Sequence, residues 1–224
     1  PHVKGDYAWI GELHNQAMGE LFSDRTTWRN GSTKGLAERK CAAIARVTQK
    51  YTESAARAMN VRDARFVASS ASKAVTSQGC QVSNPMMVLL SLTSRASATT
   101  DDDTLVITGA YETYLPSLES AINNAGSSSA AASAIDAVIA GATDLSAGDL
   151  AVLEMTATLG TASTYYWYDF EVSGGLAAML DSLREYETST FVLPMRIGFW
   201  RALGWGDLIG FAAGVGSAVT YSGG

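Results

Sequence analysis

The chain has 224 residues, 47% of them hydrophobic and 17% charged, with 21 Gly and only 4 Pro. That composition fits a compact globular protein and excludes collagen-like, heptad-repeat and fully disordered chains. At this length folding hides roughly 70% of the surface exposed by the unfolded chain, enough for one domain or two small ones without a metal staple.

The formal charge of −6 conceals a polarity: residues 1–80 carry 12 basic and 7 acidic side chains, residues 81–224 carry 4 and 15, and Lys73 is the last lysine. We read residues 1–224 as a single domain, with a possible subdivision into a basic 1–80 and an acidic 81–224. The asymmetry predicts either two opposed electrostatic faces or two halves that neutralise each other by packing together. Nucleic-acid binding is not expected, because the basic half has no dense Lys/Arg run interleaved with aromatics. The sequence opens at Pro1 without a charged-then-apolar leader, which reads as a leader removed or never present.

In chain order, Trp9, Ile10, Leu13, Ala17 and Leu21 recur at spacings of three and four and predict a helix over 6–22. A polar stretch from Ser23 to Gly35 follows. Cys41, Ile44, Thr48, Tyr51 and Ala55 then form one stripe of a second helix over 36–59. Asn60, with Asp63 in the capping-box position, opens a third helix over 61–78, which Gly79 ends. Two helices joined with so little chain between them fold back as an antiparallel αα-hairpin. Facing residues in such a hairpin have numbers that add to a constant, here about 121 for a turn between Asn60 and Val61. Cys41 and Cys80, the only two cysteines, satisfy that relation and are expected to pair as a disulfide at the open end. The alternative is two unrelated buried thiols. A bridge favours an oxidising, extracytoplasmic location.

Asn84 and Pro85 open a further helix. The triplet Asp101 to Asp103 suits a helix N-terminus ahead of Tyr111, Tyr114, Leu115, Leu118 and Ile122, although 104–108 reads alternatively as one short strand. After a Gly/Ser break over 123–129, an Ala-rich helix spans 130–140. Ser146 with Asp149 forms a second capping box opening a helix through Leu150, Leu153 and Ala157 to the aromatic cluster of Tyr165, Tyr166, Trp167, Tyr168 and Phe170, stopped by Gly174 and Gly175. Another helix covers 176–186. The expected class is all-α, a bundle of about seven or eight helices.

The search for chemistry returns little. No GxSxG elbow, HExxH helix, phosphate loop or CxxC pair is present. Glu12 and His14, two apart, lie on different faces of the first helix, and His14 reads as a solvated or hydrogen-bonded helix residue. The acidic triplet lacks the alternating ligands and the Gly of a calcium loop. No catalytic residue, metal site or cofactor is therefore assigned. Asn30-Gly31-Ser32 matches the glycosylation sequon, a three-residue pattern that arises readily by chance.

The last segment is the most unusual. Gly206, Gly210 and Gly214 recur every fourth residue, continued by Ala218 and Ser222. A helix there carries a groove free of side chains, which admits a neighbouring helix in a membrane or in a protein core. Trp200 and Trp205 precede it as amphipathic anchors. These five residues, Trp200, Trp205, Gly206, Gly210 and Gly214, are the candidate partner-binding set.

The helix ending in Gly11-Glu12-Leu13-His14-Asn15 and the tail from Gly204 to Gly216 resemble uncharacterised exported bacterial proteins with glycine-rich tails. The resemblance implies no activity and no functional residue. The expectation is a non-enzymatic accessory or stabilising subunit on the extracytoplasmic side of a membrane protein assembly, photosynthetic or respiratory. Its expected partners are protein subunits, with the membrane surface as a further one; its expected location is periplasmic or membrane-associated. Trp9 and Trp28 join the tail tryptophans in motivating that reading. The alternatives are an enzyme whose Glu12, Glu20 and Asp169 converge in a pocket, and a peripheral membrane protein anchored by the tail.

Overall fold

The computed structural model describes residues 7–23, 33–58, 64–77, 107–175 and 201. Among them it is all-α, with six α-helices, one 3₁₀ turn and no strand: α1 (Ala8–Ser23), α2 (Thr33–Ala58), α3 (Ala64–Ser77), the 3₁₀ turn Ala110–Tyr114, α4 (Leu115–Asn123), α5 (Ser128–Gly141) and α6 (Ala147–Val172). The predicted helix opened by Asn84 and Pro85, the helix over 176–186 and the Gly-rich tail lie outside the described residues. So do Asn60 and the acidic triplet.

The principal contacts follow a simple order: α3 packs on α2, α2 on α1, α1 on α6, α6 on α5 and α5 on α4. The chain therefore steps outward from α1 to α3 at one edge, and later inward from α4 to α6, which returns to α1. The expected αα-hairpin is α2 with α3. Its helices end at Ala58 and resume at Ala64, which shifts its centre only slightly beyond the expected turn.

One core runs through this array, joining Ile10, Ala17 and Leu21 of α1, Ile44, Val47 and Tyr51 of α2, Leu118 and Ile122 of α4, Ile135 of α5 and Leu153 and Leu159 of α6. The buried face of α1 is completed by His14 and Met18, so its stripe runs at 10, 14, 17, 18 and 21. Ile10, Ala17 and Leu21 are in the core as expected, with Trp9 and Leu13 half-buried at its edge and His14 and Met18 added.

α6 is buried on every side from Met155 to Thr164. Such a helix is ordinarily apolar all round, yet this stretch carries Thr156, Thr158, Thr161, Ser163 and Thr164. Thr156 offsets its own burial by donating its hydroxyl to the Val152 carbonyl one turn back, at 2.7 Å, whereas the Thr164 hydroxyl is buried with no hydrogen-bond partner among the described residues. The small side chains also let α1 come close. A Cβ added to Gly11 would stand 2.5 Å from the Ala162 Cβ. Farther along, His14 meets Tyr166 edge-on at 6.5 Å and Met18 joins Trp167 in a second cluster. Contacts advance in the same sense on both helices, so α1 and α6 run parallel.

The region before α4 departs from expectation. Ile107 and Thr108 are neither strand nor helix, and the helical path begins only at Ala110. Gly109, at φ 87°, turns the chain in the left-handed region that favours glycine. The capping pattern at 146–149 fixes this turn. Ser146 accepts the Asp149 N–H at 3.1 Å and donates its own hydroxyl to Asp149 Oδ2 at 2.8 Å. The same carboxylate accepts the Thr108 hydroxyl at 2.7 Å and the Gly109 N–H at 2.9 Å. Ser146 thus caps α6, and the Asp149 carboxylate both fixes that serine and holds the start of the 3₁₀ turn 40 residues earlier in the chain.

Candidate interaction surface

Among the described residues the charge gradient of the sequence follows the order in which the helices pack. α2 contains six basic and two acidic residues, and α3 contains Arg65 and Lys73 with no acid. Residues 107–175, which form α4 to α6 and their connections, contain eight carboxylates and neither Lys nor Arg. Among the described residues the principal contacts of the hairpin are internal and with α1. Of the two readings of the asymmetry, opposed electrostatic faces is the one the helix order favours.

On the basic side, Arg46, Lys50 and Arg57 lie along one exposed stripe of α2. Three ion pairs organise it. Lys50 Nζ meets Glu20 Oε2 of α1 at 2.5 Å, and Tyr51 donates to the same oxygen at 3.0 Å, which pins α2 to α1. The Lys50 hydrogen bond holds the Glu20 carboxyl below its ordinary range against a smaller opposing effect of burial. Glu53 Oε1 takes Arg57 at 2.5 Å and Arg65 of α3 at 3.4 Å, so it links the two helices of the hairpin while most of the Arg65 side chain stays in solvent.

Next to Arg65 stands Phe66, 74% exposed. It projects outward because α3 turns its small side chains inward: Ala64 and Ala68, one turn apart, are buried, and a residue midway between them faces away. An isolated apolar residue on a surface is ordinary. An exposed aromatic ring on α3, a helix whose only charged residues are Arg65 and Lys73, is a contact surface with a defined chemistry.

The acidic side exposes Glu112, Asp136, Asp144 and Asp169. Asp144 takes the Tyr114 hydroxyl in a short hydrogen bond that ties the 3₁₀ turn to the chain before α6. Burial pushes the Tyr111 phenol up to about 12, which keeps it neutral in the core. At the end of α4, Arg201 donates to the Ala125 carbonyl at 2.5 Å, a cation placed where the carbonyls of a helix end are exposed.

The residues singled out from the sequence are distributed as follows. Glu12 is exposed while His14 is fully buried, bonded through Nδ1 to Asn15 Oδ1 at 2.9 Å; their expected separation onto different faces holds. Glu12 and Glu20 stand about 12 Å apart along α1, eight residues at 1.5 Å each, and Glu20 is committed to Lys50 and Tyr51. Those two carboxylates are not brought together. Among the described residues no group of three His, Cys, Asp or Glu is placed to hold a metal ion. Cys41 is half-buried against the core and is not a free thiol. Cys80, and with it the pairing, lies outside the described residues. So do Trp200, Trp205, Gly206, Gly210 and Gly214; the described residue nearest to them, Arg201, is docked on the helical body. Among the described residues no helix is long and apolar enough to cross a membrane.

Sequence reading did not find Phe66, although the signal was there: the Ala64 and Ala68 stripe marks the inner face of α3 and leaves Phe66 opposite. No protein-family model, curated protein or solved structure matches the chain. The resemblance to exported bacterial proteins therefore rests on the residues that suggested it.

Proposed function

We propose that this chain works by binding, as a non-catalytic accessory or stabilising subunit on the extracytoplasmic side of a membrane protein assembly. The observation that carries the reading is the segregation of charge between helices, basic in α2 and α3 and acidic through residues 107–175. Opposed charges orient a molecule on a polar surface and accelerate encounter with it. The engagement of Asp149 with Ser146, Thr108 and Gly109, and of Thr156 with its own helix, supports the same reading.

The extracytoplasmic location rests on the Cys41–Cys80 pairing, which the α2–α3 hairpin favours by returning the chain toward the level of Cys41. The tail set of Trp200, Trp205, Gly206, Gly210 and Gly214 remains the proposed contact for a partner helix. The deciding experiment is purification of the full chain from native membranes under mild detergent, with identification of co-migrating polypeptides. A stoichiometric partner subunit is the expected result, and a chain recovered alone and wholly soluble overturns the proposal.

A further inference from the structure

We propose that the chain also associates with a second copy of itself, head to tail, the basic α2–α3 face of one molecule receiving the acidic α4–α6 face of the next. This goes beyond the accessory-subunit reading and does not depend on it. Charge complementarity is the argument. α3 and α4 are the two ends of the helix order, with Arg65 and Lys73 exposed at one end and Glu112 and Asp136 exposed toward the other. Arg65 keeps most of its side chain in solvent beyond its 3.4 Å contact with Glu53, and residues 107–175 themselves contain no Lys or Arg.

The contact is heterologous: two different faces meet. Like faces repel, so an isologous dimer through either surface is disfavoured, whereas unlike faces attract and can propagate or close into a ring. Phe66, exposed on the same helix as Arg65 and Lys73, supplies the apolar contact that a purely ionic one lacks, and a single aromatic of this kind can dominate binding. Overall charge of the same sign on every copy opposes association at long range. Assembly is consequently governed by how the opposed ends are oriented and screened.

The test uses sedimentation velocity on the full chain at about 10 mM and about 1 M salt, which shortens the screening length from about 30 Å to about 3 Å. Two variants are compared: a hairpin-reversed chain (Arg65→Glu with Lys73→Glu) and a lobe-reversed chain (Glu112→Lys with Asp136→Lys), each checked for helicity by circular dichroism. The expected results are a concentration-dependent rise in mass at low salt, lost at high salt, and each variant alone at least about tenfold weaker in association. An equimolar mixture of the two must regain the wild-type behaviour, since each supplies the face the other lacks. A change of stability alone does not produce that recovery. Should the hairpin-reversed chain fail to fold, Phe66→Ser replaces it, with the same tenfold weakening expected. A single-chain mass at every salt concentration, a mixture that stays monomeric, or binding to phosphatidylserine vesicles without self-association overturns the proposal.

Discussion

At the scale of single residues, two positions carry unusual weight. Gly11 is one, because the atom facing it is the Cβ of Ala162, part of a short side chain that cannot swing aside. Gly11→Ala gains about 1 kcal/mol of helix propensity but forces two helix backbones apart. The expected net effect is a loss of about 1–2 kcal/mol in chemical denaturation. Adding Ala162→Gly restores the space, so the double-mutant cycle shows a favourable coupling between the two sites.

Asp149 is the other. Burial by itself raises its carboxyl, and hydrogen bonds from Thr108, Ser146 and Gly109 more than reverse this, leaving it below the ordinary 3.8. A depressed carboxylate contributes stability that is fully present above its unfolded value and is lost as pH falls through the folded one. Stability should therefore decline below about pH 4. Asp149→Asn is expected to cost about 2–3 kcal/mol at neutral pH, since bonds to a charged acceptor are replaced by weaker ones, and to flatten the acid limb. Thermal unfolding of both proteins between neutral and acid pH checks the sign.

Among elements, the hairpin offers the clearest test. A Cys41–Cys80 bridge closes a long loop and stabilises the fold by about 4 kcal/mol in the chain-entropy model. Reduction should lower the melting temperature, and mass spectrometry of unreduced native protein should recover the two cysteines in one crosslinked peptide pair. Two free thiols would remove the bridge and the argument for export.

How much of this was legible beforehand differs from element to element. α1, α2 and α3 declared themselves because each carries a polar face against an apolar stripe. α6 was found through its ends, Ser146 and Gly174, rather than its middle: a helix buried all round has no amphipathic period to read. The start of the fourth helix was misplaced toward the acidic triplet because what sets it is remote. Asp149, 40 residues later, supplies the acceptors that Thr108 and Gly109 need, and no local pattern announces such a partner. Glu20 entered as one of three converging carboxylates, whereas its neighbour proved to be Lys50, 30 positions on. The charge gradient itself was plain; its conversion into opposed faces required knowing that the hairpin packs chiefly on α1.

On the scale of the whole molecule, the segregated charge has a direct laboratory signature. With a net charge of −6 the protein should bind an anion exchanger at neutral pH and low salt. The α2–α3 face predicts that a cation exchanger retains it too, because adsorption responds to the local field of a patch and not to the total. The hairpin-reversed chain should keep the first behaviour and lose the second. Retention of the native protein by the anion exchanger only would mean that the cationic face is too diffuse to act as a unit.

The parallel seam between α1 and α6 has a further consequence for biosynthesis. Gly11 and Ala162 are separated by about 150 residues, which at translation rates of about 5–20 residues per second amounts to roughly 8–30 s. During that interval the nascent polypeptide can seat α1 against α2, whose Lys50 and Tyr51 emerge soon after Glu20. The opposite flank of α1, with His14 and Met18, has nothing to rest on until the Thr-rich helix is made. A ribosome stalled or a message truncated before codon 158 should thus release a fragment with one side of its first helix bare, a natural substrate for chaperones and proteases.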